Sequence, residues 1–102
     1  MKSFKLDDVA RLEFEEAAAW YENERPGLGF EFIAEIDHVL ERIETRDRFE
    51  TQPIATFRGG FVRREFAKRF PYVVMFVETD VLRRVIMIRR DNTDPALWKS
   101  RI

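Results

Sequence analysis

The side chains best suited to chemistry in this sequence are its paired basic residues. Arg63 with Arg64, Lys68 with Arg69, Arg83 with Arg84 and Arg89 with Arg90 recur through the second half of the chain. A guanidinium grips carboxylate or phosphate through a planar fork, so an arginine-rich face suits an acidic peptide or a nucleic acid. Residues 1–50 hold 7 Lys and Arg against 14 Asp and Glu, net −7, whereas residues 51–102 hold 11 against 5, net +6. The pairs therefore either neutralise the acidic half of the same chain or face an outside partner, and charge alone does not choose.

Other constellations are excluded or bland. His38 is the single histidine, cysteine is absent, and Ser3 and Ser100 are the only serines. A Ser-His-Asp triad, a thiolate nucleophile and a Cys/His zinc site are thereby removed. His38 reads as a surface or packed helix residue. Gly27-Leu28-Gly29 lacks the third glycine and preceding strand of a dinucleotide fingerprint, and no P-loop lysine follows a glycine. Glu13 with Glu16, and Glu31 with Glu35, share helix faces where two carboxylates could act as acid and base, but solvated faces are the expectation. No metal and no cofactor is expected.

These side chains need elements to hold them. The 102 residues suit one domain, 1–102, and 45% apolar residues with ten Phe supply a core despite 36% charged residues. The opening residues lack the apolar region of a signal peptide, and the longest apolar run, Tyr72 to Val77, is too short to span a membrane. With no disulfide framework, a soluble cytoplasmic protein without membrane contact is expected.

Lys2 to Leu6 reads as a first strand, and Asp7 or Asp8 can cap a helix running to about Glu24, with Ala10, Phe14, Ala17 and Tyr21 on one face. Pro26-Gly27-Leu28-Gly29 breaks it before a second stripe of Phe32, Ile36, Val39 and Ile43, making a helical hairpin. After Asp47 the period shortens: Phe61 to Phe66, Tyr72 to Val77 and Leu82 to Arg89 read as strands, the middle one apolar on both sides and so central. Asp94-Pro95 opens a short helix carrying Leu97 and Trp98. The order β-α-α-β-β-β-α implies an α+β domain with the hairpin laid on a small antiparallel sheet.

The spacing of these segments resembles the RelE/ParE toxin superfamily along almost the whole chain. The resemblance rests on Ala10-Arg11-Leu12-Glu13-Phe14, Trp20-Tyr21-Glu22 and Pro26-Gly27-Leu28-Gly29-Phe30-Glu31-Phe32. It continues through Arg63-Arg64, Phe70-Pro71-Tyr72, Val74, Phe76, Val85 to Ile88, Asp94-Pro95, Trp98 and Arg101. Physical roles stand beside it. Phe76 suits a core position, Trp98 packs the C-terminal turn on the sheet, and Tyr72 is either a satisfied core tyrosine or a surface contact.

The resemblance implies the toxin of a type II toxin–antitoxin pair of the plasmid stabilisation kind, inhibiting growth. Many relatives carry a histidine at the last strand's end followed by Arg-Asp-Pro, whereas this chain has Arg90 and Thr93 at those positions. The C-terminus also lacks the tyrosine frequent in ribosome-dependent nucleases of the family, and the pI of 5.9 is low for a ribosomal RNA ligand. The nearer expectation is a ParE-like, non-catalytic toxin that binds DNA gyrase, held by a cognate antitoxin, with Arg63, Arg64, Arg69, Arg89, Arg90 and Trp98 on the binding surface. The alternatives are a RelE-like endonuclease acting on mRNA at the ribosome through Arg64, Lys68, Arg69, Tyr72 and Arg90, and a non-toxic binding module of the same fold.

Overall fold

Two apolar stripes at helical spacing lay a hairpin on the sheet. Helix α1 spans Asp8–Glu24 and buries Ala10, Ala17, Ala18 and Tyr21. Helix α2 spans Leu28–Thr45 and buries Gly29, Phe32, Ile36, Val39 and Ile43. All of these but Gly29, which faces α1, join one core with Val74, Phe76, Val85 and Ile88 of the sheet. The computed structural model describes residues 2–102.

The strands are β1 (Ser3–Leu6), β2 (Ala55–Phe57), β3 (Gly60–Phe66), β4 (Tyr72–Thr79) and β5 (Leu82–Arg90), in the order β1-β5-β4-β3-β2. The α+β architecture expected from the sequence is the one found, with two differences in the sheet. β1 runs parallel to β5, from Ser3 beside Leu82 to Leu6 beside Val85, so the sheet is mixed. An additional strand, β2, folds back on β3 through a turn in which Gly59 adopts φ 93°, a conformation open to glycine. Three residues are too few for alternation to announce a strand.

β4 lies in the middle and is buried on both faces, which explains its unbroken apolar run. Its outer face joins Val62, Ile86 and Met87 in a second cluster, covered by Ile54, Phe57, Leu97 and Trp98. A bulge pairs Met75 with Met87 but Phe76 with Val85, and the extra residue lets Ile86 and Met87 both reach this outer cluster. The chain closes in a 3₁₀ helix, Pro95–Arg101, rather than an α-helix, with the Asp94 carboxylate accepting from Ala96 N–H at 2.9 Å. Asp7 occupies the N-cap position of α1 but makes no side-chain cap bond. Its carboxylate pairs instead with Arg84 at 3.2 Å, a stronger charge partner than the helix amides. Among the described residues no helix is long and apolar enough to cross a membrane.

Candidate functional site

Three of the basic and aromatic residues singled out in the sequence meet at one end of the sheet. Pro71 sits at the centre of a tight turn, Tyr72 N–H donating to the Phe70 carbonyl at 2.8 Å, from which β4 begins. The register then sets Tyr72 opposite Arg90 across the β4–β5 ladder. Tyr72 packs its ring against Phe32, 4.9 Å between centroids, and Tyr21, 6.0 Å. Its hydroxyl end borders a cleft of about 370 Å³ shared with Trp20, Arg89, Arg90, Asn92 and Thr93. Burial raises the Tyr72 pKa, the Tyr21 phenol adds to the rise, and the Arg90 guanidinium beside the hydroxyl opposes it. The tyrosine is thus a neutral hydrogen-bonding group at neutral pH, anchored in the core and open at its tip.

The remaining named residues divide among other surfaces. Lys68 lines a second cleft, about 460 Å³, between α2 and the end of β3, with His38, Arg42 and Phe66. Arg69 on the β3–β4 turn donates to Glu31 of α2 at 2.6 Å and lies over the Phe70 ring. That hydrogen bond, more than any other contact, holds the Glu31 carboxyl below the usual range. Arg64 stands opposite Met75 on the outer sheet face with its guanidinium 5.2 Å from the Phe66 centroid. Trp98 is part of the outer apolar cover, with Lys99 over its ring at 6.0 Å.

Arg63 has a partner inside the molecule. Its Nε donates to Glu78 at 2.7 Å, and Arg83 Nε donates to the other oxygen of the same carboxylate at 2.7 Å, with Lys2 at 3.3 Å. Burial alone would raise the Glu78 pKa, but the hydrogen bonds from Arg83, Arg63 and Lys2 outweigh it and leave it lowered. Arg83, itself buried, donates onward to the carbonyls of Ile43, Arg46 and Asp47, closing the C-terminus of α2.

Of the carboxylates read as solvated helix faces, Glu16 is exposed as expected, while Glu13, Glu31 and Glu35 have partners within the chain. Glu13 accepts from Arg101 through both oxygens, at 2.8 and 3.0 Å, from Arg89 at 3.1 Å and from the Ile88 N–H at 3.1 Å. Glu35 accepts from the backbone N–H groups of Arg69 and Phe70. These contacts span 34 to 88 positions of chain, a separation no local spacing rule reports.

The two readings of the arginine pairs therefore divide the residues between them. Arg63, Arg69, Arg83, Arg84, Arg89 and Arg101 neutralise the chain's own carboxylates. Arg64, Lys68 and Arg90 are exposed and have no ion-pair partner among the described residues. Trp20, 53% exposed at the mouth of the Tyr72 cleft, joins this set although charge patterning gave no sign of it. The Tyr72 cleft can hold an anionic or planar group against Arg90, the Trp20 ring and the phenol.

No family model and no curated protein matches the chain. Among solved structures it is similar to a chain of the chromosomal ParDE TA system from P. aeruginosa, with TM-score 0.73 and 16% sequence identity, over 88% of this chain and 96% of that one. At that identity the likeness shows a shared fold, carried across nearly the full length of both chains.

Proposed function

We propose that this chain is the toxin of a type II toxin–antitoxin pair and a ParE-like member of the RelE/ParE superfamily, acting in the cytoplasm. It arrests growth by binding DNA gyrase and is neutralised by a cognate antitoxin. The observation that carries the reading is the fold shared with a chain of a ParDE TA system over 88% and 96% of the two lengths. A binding toxin needs a complementary surface and no catalytic group, which suits a chain with one histidine and no cysteine. Arg64, Lys68 and Arg90 supply charge without first breaking an internal pair. Arg69 and Arg89, themselves 61% and 45% exposed, can join them by leaving Glu31 and Glu13. An acidic or amphipathic antitoxin segment crossing the hairpin would meet Lys68 beside α2 and Arg90 beside α1.

The test is a supercoiling assay with purified gyrase and relaxed plasmid. The chain is expected to block supercoiling, and Arg64→Ala with Arg90→Ala to weaken the block at least tenfold while leaving the fold intact. Supercoiling at the normal rate under an excess of folded chain contradicts the gyrase reading.

A second reading is supported by the cleft that joins Tyr72 to Arg90. A RelE-like endonuclease acting on mRNA at the ribosome would stack a base near Tyr72 and hold phosphates with Arg90, Arg64, Lys68 and Arg69. Codon-phased cuts in a translating extract, absent in Tyr72→Phe, would establish that activity.

A further inference from the structure

β1 and β2 are shorter than the strands they pair with, so each leaves part of its neighbour's edge uncovered, and the two edges are finished differently. An open strand edge is a template for pairing with another chain. Past β1, the edge of β5 is closed by side chains: Glu13 accepts from the Ile88 N–H at 3.1 Å, and Arg101 donates to the Ile86 carbonyl at 3.1 Å. Past β2, the edge of β3 has no such cover among the described residues.

The direction of the β3 backbone groups follows from its ladder. Ala67 N–H donates to the Tyr72 carbonyl at 3.0 Å, which makes Glu65 and Arg63 the residues bonded to β4. Val62, Arg64 and Phe66 therefore turn their N–H and C=O groups the other way, and the Ile54 N–H meets the Val62 carbonyl there at 2.9 Å. Pro53 precedes Ile54 and has no N–H with which to continue the pairing. The N–H and C=O groups of Arg64 and Phe66 are left without a partner among the described residues. Donors and acceptors in that alternation match one kind of occupant, an extended chain.

Side chains beside the edge select the sequence of that chain, because a strand turns alternate residues to opposite faces of the sheet. On the outer face an added strand meets Arg64, which is exposed and has no ion-pair partner among the described residues. On the helix face it meets the cleft of about 460 Å³ beside α2, lined by Val39, Thr45 and Phe66. Glu41 also borders that cleft and opposes a second carboxylate there, while Arg42 is already paired with Glu65. Acidic residues therefore belong on the outer side of the added strand and apolar ones on the helix side. A second copy of β3 would instead bring arginine towards arginine.

We propose that β3 takes an added strand along Arg64 to Phe66, supplied by a protein partner whose extended segment alternates apolar with acidic residues. The proposal does not rest on the toxin reading, and its test touches neither gyrase nor mRNA.

The probe is a short, end-capped synthetic peptide of alternating valine and glutamate, titrated into the full chain while amide exchange is followed residue by residue. In the free chain the amides of Arg64 and Phe66 should exchange faster than those of Arg63 and Glu65, and the peptide should slow them by about tenfold or more. Methylating the peptide's amide nitrogens removes its donors and keeps its charge, and should weaken binding by about tenfold or more. Arg64→Glu should weaken it by a similar factor with the thermal midpoint unchanged. Arg64 and Phe66 amides already protected in the free chain, no slowing by the peptide, or equal binding of the methylated peptide overturns the proposal.

Discussion

Glu13 and Arg101, 88 positions apart, form a two-toothed ion pair at 2.8 and 3.0 Å that ties the C-terminal turn to α1. Arg101 also donates to the Ile86 carbonyl, and its own carbonyl accepts from Arg84. The pair joins helix, sheet and C-terminal segment, since Glu13 also accepts from the Ile88 N–H of β5. Its side chains are 12% and 15% exposed, so solvent screens it little.

Glu13→Ala is accordingly expected to lower stability by about 2 kcal/mol, since it strands a cation and the Ile88 N–H together. Thermal unfolding would report this as a drop of about 8 to 16 °C. A loss below about 0.5 kcal/mol would mean that the C-terminal turn is held by Leu97 and Trp98 alone.

Glu78 makes a prediction about acid. Its pKa is lowered in the folded chain, so it binds fewer protons folded than unfolded near the ordinary glutamate value. The stability it contributes is fully present above that value, about 4.3, and is lost as pH falls through the lower folded value. Urea unfolding at pH 7 and at successively lower pH should show that fall in the wild type. Glu78→Gln should start lower, by about 3 kcal/mol, because three cations lose their partner, and should flatten the acid dependence. Parallel acid profiles for the two proteins would place the acid sensitivity elsewhere.

Arg90 and Arg63 separate surface from scaffold. Arg90 is exposed and unpaired among the described residues, so Arg90→Ala should change stability by less than about 0.5 kcal/mol. It should also raise the Tyr72 pKa further, because the cation that opposes the rise is gone. Ultraviolet titration of the phenols in Arg90→Ala reads that shift, and an unchanged curve would detach Arg90 from Tyr72. Arg63→Ala, by contrast, breaks the Glu78 network and should cost about 1 to 2 kcal/mol.

Gly29 carries the hairpin's close contact. Gly29→Ala places a methyl 2.7 Å from the Ala18 carbonyl oxygen and 2.9 Å from the Glu22 Cβ, so the helices must part. A loss of about 1 to 3 kcal/mol in chemical unfolding is expected, well beyond the gain alanine brings as a helix former. A neutral or stabilising outcome would show that the hairpin opens freely.

Much of this architecture was legible in the residues, for a physical reason. Phe32, Ile36, Val39 and Ile43 announced α2 because burial repeats with the helical period, and the apolar run from Tyr72 announced a strand covered on both faces. β2 escaped because three residues carry no period, and the parallel pairing of β1 with β5 escaped because its partner is almost a chain length away. The site was less legible than the fold. Side-chain type showed which residues could grip an anion, but not which were already spent. Arg63, Arg69 and Arg89 looked as available as Arg64 and Arg90 until Glu78, Glu31 and Glu13 were seen beside them. Trp20 entered the cleft by standing next to Tyr21, whose ring is core, while its own faces outward.

The central claim is met most directly by induced expression in a bacterium that lacks the antitoxin, following growth, plasmid supercoiling and message integrity in the same cultures. The account predicts growth arrest with plasmid relaxation and intact mRNA, relieved by co-expressing the antitoxin. Arrest with codon-phased cuts on translated mRNA would replace gyrase by the ribosome as target. Normal growth at high levels of folded protein would contradict the toxin reading and leave a non-toxic binding module of the same fold.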